Sequence, residues 1–376
     1  MSESSFAFFR GSAPIMAADL ASHPHTDINA QICGDAHVLN LGAYASFDGR
    51  LVFDINDFDE TVRAPFEWDI KRMVTSLLLA GRSAGIGHLA RETAVSLFTS
   101  GYRQSMHEFA RMPTLELARY QVHRLEDTAP IQTILKTAER STPVKILRKL
   151  TEPYDGGRRF KSDPPILIRV HRKQMASLLK AIETYKFTLQ PERRYFLSQY
   201  RPVDAAFKVV GTGSIGLRCY CVYFESLSRR PGTDPLFLQL KEERPSVYTP
   251  YLKSTQERHR NQAHRVVDGQ RAMQLTSDPL LGYVTMDGRD YLVRQLNDHK
   301  ASLEMESLTA AHLDTYAEVC GELFARGHAR SGDPLQIADY LGRSDRFDRA
   351  ILKFARSYAD QVEKDWKEFC AAQKSS

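Results

Sequence analysis

The sequence predicts an α+β protein in which a small antiparallel sheet is set between two parts of a mostly helical body. Three observations carry this. Between residues 204 and 300 the runs AFKVV, LRCYCVYFE, PLFLQLKEE and YLVRQL are rich in β-branched and aromatic residues, and glycine or proline punctuates the loops between them. On either side, from Trp68 to about Leu117 and from Ser302 onward, apolar residues recur at helical spacing. Finally, 42% apolar and 26% charged residues give 376 positions ample material for a globular core. The chain divides accordingly into residues 1–203, 204–300 and 301–376.

Taken in order, Ala13–Ala21 reads as a helix ending before HPHTD. NAQICGDAHVLNLGAYA then reads as a short, apolar, loop-like stretch. The Asp-Gly of SFDGR signals a turn into the strand LVFDI. Helices occupy Trp68 to about Leu117, and helical segments continue to about Tyr200, broken at PYDGGRR and DPP. Next come the three strands of the sheet block, a helix over HRVVDGQRAMQL, and a hairpin on the Asp-Gly of YVTMDGRDYLVRQL. LTAAHLDTYAEVCGELFARGHAR and RFDRAILKFARSYADQVEKDWKEFCAA are the closing helices. There is no internal repeat and no low-complexity segment.

Several classes are excluded or disfavoured. No run reaches the eighteen or so uncharged apolar residues of a membrane helix, and MSESSFAFFRGSAP lacks the pattern of a secretory leader. Five cysteines (Cys33, Cys219, Cys221, Cys320 and Cys370), none in a CxxC pair, argue against a disulfide framework and fit a cytoplasmic protein. The net charge of +5 is mild, and the basic stretch Lys145–Lys173 reads as a solvated face, so a nucleic-acid partner is not expected.

The chemistry begins near the N-terminus. GDAHVLN (34–40) sets Asp35, His37 and Asn40 in one loop, and DINDFDE (54–60) adds Asp54, Asp57, Asp59 and Glu60. Phosphoryl transfer uses this inventory: one carboxylate orients or deprotonates the attacking hydroxyl, while an amide oxygen and a second carboxylate hold magnesium on nucleotide phosphates. Asp and Asn in loops also cap turns. However, four acids within seven positions repel one another unless a cation or basic group is near.

Far downstream, GTGSIG (Gly211–Gly216) lies between AFKVV and LRCYCVYFE, in a strand–turn–strand. A dinucleotide fingerprint needs a helix after its glycines, so this context instead fits a glycine hairpin covering phosphates, with a plain glycine hairpin as the alternative. Lys241 ends the alternating strand PLFLQLKEE.

These motifs carry a resemblance. GDAHVLN resembles the catalytic loop of protein-kinase-like enzymes of the aminoglycoside and choline kinase branch, with Cys33 where that branch has histidine. DFDE resembles its metal-binding motif, and PFEWDIKRM the start of the helix whose aspartate braces the catalytic loop. The resemblance implies Asp35 as base or orienting group, Asn40 with Asp57 or Asp54 as magnesium ligands, and Asp69 as the brace. It makes Gly211, Gly213, Gly216 and Lys241 the phosphate cradle of ATP, with Asp268 the carboxylate that holds the lysine. Gln295 and Leu296 would lie at a hinge whose backbone meets adenine. His37 would contact phosphate or serve as a structural histidine. HARSGDP (328–334) has Ala338 where a catalytic loop needs asparagine, and only residues 1–34 precede Asp35, so the implied fold is a two-lobed kinase-like fold in circularly permuted order. More closely, FFRGSAP, QICGDAHVLNLG, DINDFDET, FEWDIKR, GQR and VRQL resemble a bacterial family catalogued as domain of unknown function 2252.

The expectation is therefore an ATP- and magnesium-dependent phosphotransferase acting on a hydroxyl, with a small-molecule acceptor favoured over a protein. Two other classes stay open: a metal-dependent phosphoesterase using Asp35, His37, Asn40 and the acid cluster, and a non-catalytic nucleotide-binding protein.

Overall fold

The computed structural model describes the chain apart from residues 47–48, 123–127, 141, 156, 210–215, 231, 253–258, 297–300 and 375–376. It is a mixed structure of helices and antiparallel sheets.

Two short helices open it, α1 (Ser5–Gly11) and α2 (Ala13–Ser22). The expected loop-like stretch that follows is in fact strand at both ends: β1 (Asn29–Ile32) and β2 (Leu41–Ala45), joined by a loop at 33–40. β1 alternates buried Ala30 and Ile32 with half-exposed Asn29 and Gln31, a period-two pattern too short to stand out beside the polar residues of the loop. β2 pairs with β3 (Leu51–Ile55), and β1 with β4 (Val62–Pro65). The loop at 33–40 and the turn at 56–61 are thus held side by side.

Two long helices follow, α3 (Glu67–Ser83) and α4 (His88–Phe109), then the shorter α5 (Thr114–Arg119), α6 (Ala129–Glu139) and α7 (Pro143–Leu150). The region expected to be helical up to Tyr200 contains strands as well. β5 (Thr151–Tyr154) and β6 (Gly157–Phe160) form a hairpin, and β7 (Leu167–Arg169) begins the main sheet before α8 (Arg172–Tyr185) and α9 (Pro191–Ser198). Such three- and four-residue strands are too short to show a period of their own.

The main sheet is completed by β8 (Tyr200–Lys208), β9 (Cys219–Ser226), β10 (Pro235–Glu243), β11 (Gly282–Met286) and β12 (Arg289–Gln295), with α10 (Gln262–Met273) before β11. Its order is β11-β12-β10-β9-β8-β7, antiparallel throughout. One face packs Tyr220, Val222, Leu238 and Leu240 against Leu178, Ile182 and Tyr185 of α8. The other sets Cys221, Tyr223 and Phe237 against Ile146, Leu147 and Phe160. The sheet part therefore draws on residues well before 204, because α8 supplies its core. After β13 (Ala301–Ser302), which pairs with β2, come α11 (Ala310–Ser331), α12 (Pro334–Leu341) and α13 (Arg346–Lys374).

The largest core joins α1, α3, α4, α11 and α13, and also takes Tyr248 and Val266 and Val267 of α10 from the sheet part. β10 is buried along its whole length. Its alternation sends Leu236, Leu238 and Leu240 toward α8, which leaves Gln239, Lys241 and Glu243 on the opposite face. No described helix is long and apolar enough to cross a membrane.

Candidate functional site

The loop at 33–40 is clamped by its backbone. The N–H groups of Cys33 and Gly34 donate to the two oxygens of Asp69, at 2.8 and 2.9 Å. Asp69 sits in the first turn of α3, 1% exposed. Behind it His328 Nε2 lies 3.4 Å away, and the Tyr102 hydroxyl meets the other ring nitrogen at 2.9 Å. The Tyr248 hydroxyl donates to the Gly34 carbonyl, and Val38 N–H to Ser76. Gly34 has φ +82°, and a Cβ there would lie 2.3 Å from the Glu60 carbonyl oxygen, so only glycine fits between the two acidic segments. His328 belongs to HARSGDP, whose Asp333 caps α12 by accepting from Leu335 and Gln336.

Asp35 projects from this loop, and Arg72 Nε donates to it at 2.7 Å. Arg72 is wholly buried. It also donates to the Phe9 carbonyl and lies over the Phe9 ring. Burial disfavours its charge, but Asp35 outweighs that and holds the guanidinium above its ordinary range. His37 Nε2 is 3.9 Å from Asp35, while its Nδ1 accepts from Leu39 N–H. Burial lowers its pKa to about 4, so it is neutral at pH 7.

Asn40 ties the two acidic segments together. Its amide donates to the carbonyls of Asp35 and Asp57, and its Oδ1 accepts the Asp57 N–H at 2.7 Å. Asp57 keeps its carboxylate half-exposed beside this amide. Asp54 is elsewhere: Arg326 Nη2 reaches both its oxygens at 2.6 Å, and both side chains are buried. Asp54 therefore balances α11 and does not join Asn40. The acids of DINDFDE are not one cluster, because strand alternation in β3 turns Asp54 toward the helices.

Lys241 of β10 reaches the same place. Its Nζ bonds Asp59 and lies 4.0 Å from Asp57. Burial opposes its charge, but Asp57, Asp59 and Glu243 raise its pKa on balance. Burial, and next the like charge of Asp57, push Asp59 up. Glu243, two positions on, is raised by burial, and its Oε1 has no partner among the described residues. Burial also lifts Glu60 to about 7, although it accepts Val247 N–H. Arg265 of α10 donates to the carbonyls of Thr61, Asp59 and Arg244, fastening the turn to the sheet part.

Other expected residues stand differently. Asp268 does not hold Lys241: its carboxylate is taken up by His259 at 3.0 Å and by His264, one turn earlier on α10, at 3.2 Å. The Gln295 N–H donates to Asp278 and the Leu296 N–H to Phe237, so neither amide is open to a base. The Gln295 side chain lines a small cavity with Tyr44, Asn56, Gln270 and Arg294. Gly211 and Gly213 lie outside the described residues. Gly216 has φ +80° and precedes β9, with open space where a Cβ would be.

The oxygens of Asn40, Asp57 and Asp59 are the hard donors that suit magnesium, which needs few protein ligands when phosphates and water supply the rest. Among the described residues no group of three or more histidine, cysteine, aspartate or glutamate side chains is placed to hold a metal by itself. All five cysteines are free, and four are buried.

Sequence reasoning missed Arg72, Arg265, Arg326, His328 and Tyr248. Arg72 was within reach, because it lies one helical turn after Asp69 and so shares its face of α3. The others come from distant segments with no motif of their own. The model of a family described as an uncharacterized protein conserved in bacteria (DUF2252) matches residues 1–372. A search of curated proteins and a search of solved structures each gave no match.

Proposed function

The chain belongs to the DUF2252 family of bacterial proteins, and we propose that it is an ATP- and magnesium-dependent phosphotransferase of kinase-like, circularly permuted architecture. One observation carries the reading: Lys241, from the sheet part, meets Asp57 and Asp59, which Asn40 ties to the loop of Asp35. Two segments far apart in sequence thus supply one site with the residue types that phosphoryl transfer requires.

Each residue then has a role. Asp35 is fixed by Arg72 and receives the acceptor hydroxyl, whose oxygen bonds to the γ-phosphorus as the bond to ADP breaks and whose proton passes to the Asp35 carboxylate. Arg72 holds the Asp35 carboxylate in place through its Nε contact. Asn40 and Asp57 would hold magnesium, which supplies charge neutralisation on the phosphates. Lys241 exchanges its contact with Asp59 for phosphate oxygens, and Asp69 keeps the loop rigid. Asp57 is the metal-side acid in this reading, since Asp54 is committed to Arg326.

Calorimetric titration tests this. Mg-ATP is expected to bind the wild type, with affinity for the magnesium complex reduced by about two orders of magnitude in Asp57→Asn. Equal affinity in the variant would remove Asp57 from the site. No heat with the wild type would remove the proposal.

A further inference from the structure

We propose that Arg10 anchors an anionic group on the acceptor, so that the hydroxyl compound bound at Asp35 also carries a carboxylate or a phosphate. This rests on the phosphotransfer reading above.

Among the described residues, the cations named so far around the catalytic loop are committed. Arg72 serves Asp35 and the Phe9 carbonyl, Arg326 serves Asp54, Lys241 serves Asp59, and Arg265 serves three carbonyls. Arg10 stands in the last turn of α1, one residue beyond the Phe9 whose carbonyl and ring receive Arg72. Among the described residues it has no hydrogen-bond or ion-pair partner, and its Nε is fully buried without an acceptor. An N–H left so costs free energy that a bound acceptor would recover. The rest of the side chain is partly exposed, so a small molecule can reach it.

The surroundings favour an anion there. The charged groups that act on His37 are Asp35, Arg10, Arg72 and Asp57, with Arg10 ahead of Arg72. Asp35 is paired with Arg72 and Asp57 lies by Lys241, while His37 is neutral at pH 7. Of these groups Arg10 is the one with no side-chain partner among the described residues, and it stands near enough to act on His37 in the loop that carries Asp35. A guanidinium is also the side chain whose fork of donors matches carboxylate and phosphate oxygens. FFRGSAP, the motif that holds Arg10, also supplies through Phe9 the carbonyl and ring that seat Arg72, so it already lies against the catalytic loop.

The test measures thermal midpoints with saturating Mg-AMP-PNP, which blocks the Lys241 site, and about 10 mM of D-glycerate, glycerol 3-phosphate or glycerol. Wild type, Arg10→Gln and Arg10→Lys are compared. The expected result is that glycerate or glycerol 3-phosphate raises the wild-type midpoint and glycerol does not. Which of the two acts tells carboxylate from phosphate. Arg10→Gln is expected to respond to Mg-AMP-PNP as the wild type does, showing an intact fold, while binding the anion at least about tenfold more weakly, with Arg10→Lys between. An anion response equal in all three proteins, or none in a wild type that responds to Mg-AMP-PNP, overturns the Arg10 assignment alone. A wild type without any nucleotide response overturns the phosphotransfer reading instead.

Discussion

Replacing Asp54 by asparagine separates two acids that sequence spacing leaves equivalent. The Asp54 carboxylate accepts from Arg326 Nη2 on both oxygens, at 2.6 Å each, and from the Ile55 N–H at 2.8 Å, and the Asp54 and Arg326 side chains are 3% and 2% exposed. Asparagine fills the same volume but leaves the guanidinium without a counter-charge in a place water does not reach. Removing one partner of a buried pair costs about 3–5 kcal/mol. With an unfolding entropy of about 2 cal/mol/K per residue, a chain of this length loses roughly 5 °C of melting temperature. The assay is thermal unfolding of Asp54→Asn beside Asp57→Asn, each with and without Mg-ATP. Asp54→Asn is expected to melt lower yet keep its response to Mg-ATP, and Asp57→Asn to melt near the wild type and lose that response. An Asp54→Asn protein of wild-type stability that no longer responds would refute the assignment of the two acids.

Glu60 gives a pH prediction. Its folded pKa is about 7 against a usual 4.5. Between those values the folded state keeps a proton that the unfolded chain has released, so stability falls as pH rises through the window and is level above it. The loss amounts to about 3 kcal/mol. His37, lowered to about 4, acts oppositely: below pH 6.5 the unfolded chain gains a proton that the folded state refuses, so stability rises with pH up to 6.5. Urea unfolding of Glu60→Gln from pH 4 to 8 is expected to uncover that rise, and a profile parallel to the wild type would contradict it. Gly34→Ala is expected to cost more than about 4 kcal/mol, because its Cβ would meet the Glu60 carbonyl at 2.3 Å. Gly216→Ala has the same left-handed backbone but open space, so it should cost about 1 kcal/mol in the same urea assay.

What sequence revealed and what it hid follow from the range of the interactions. The long helices and the strands β8, β9 and β10 were legible because their apolar periods run over many residues. The short β1, β4 and β7 were not: four or fewer residues carry no measurable period, and pairing with distant partners defines them. Within the site, the bond from Asp69 to the loop of Asp35 and the tie between Asn40 and Asp57 join residues whose motifs are recognisable one by one. The pairing of Asp54 with Arg326 was hidden because α11 lies far along the chain and an arginine on a helix announces nothing. Asp268 was expected beside Lys241 as an acid on the next helix, but its carboxylate is engaged by His259 and His264, whose positions no motif announces. Arg265, one turn earlier, is the α10 residue that reaches the acidic turn, through its carbonyl contacts.

The central claim is that β10 and the acidic loops form one nucleotide site. Its most direct test is the shift in melting temperature caused by millimolar Mg-ATP in the wild type and in Lys241→Met, each compared with its own ligand-free form. Ligand at a hundredfold excess over its dissociation constant adds about 2.7 kcal/mol to stability, an upward shift of a few degrees. That shift is expected in the wild type and is expected to be lost in Lys241→Met. A folded wild type that does not respond, or a variant that responds equally, would contradict it.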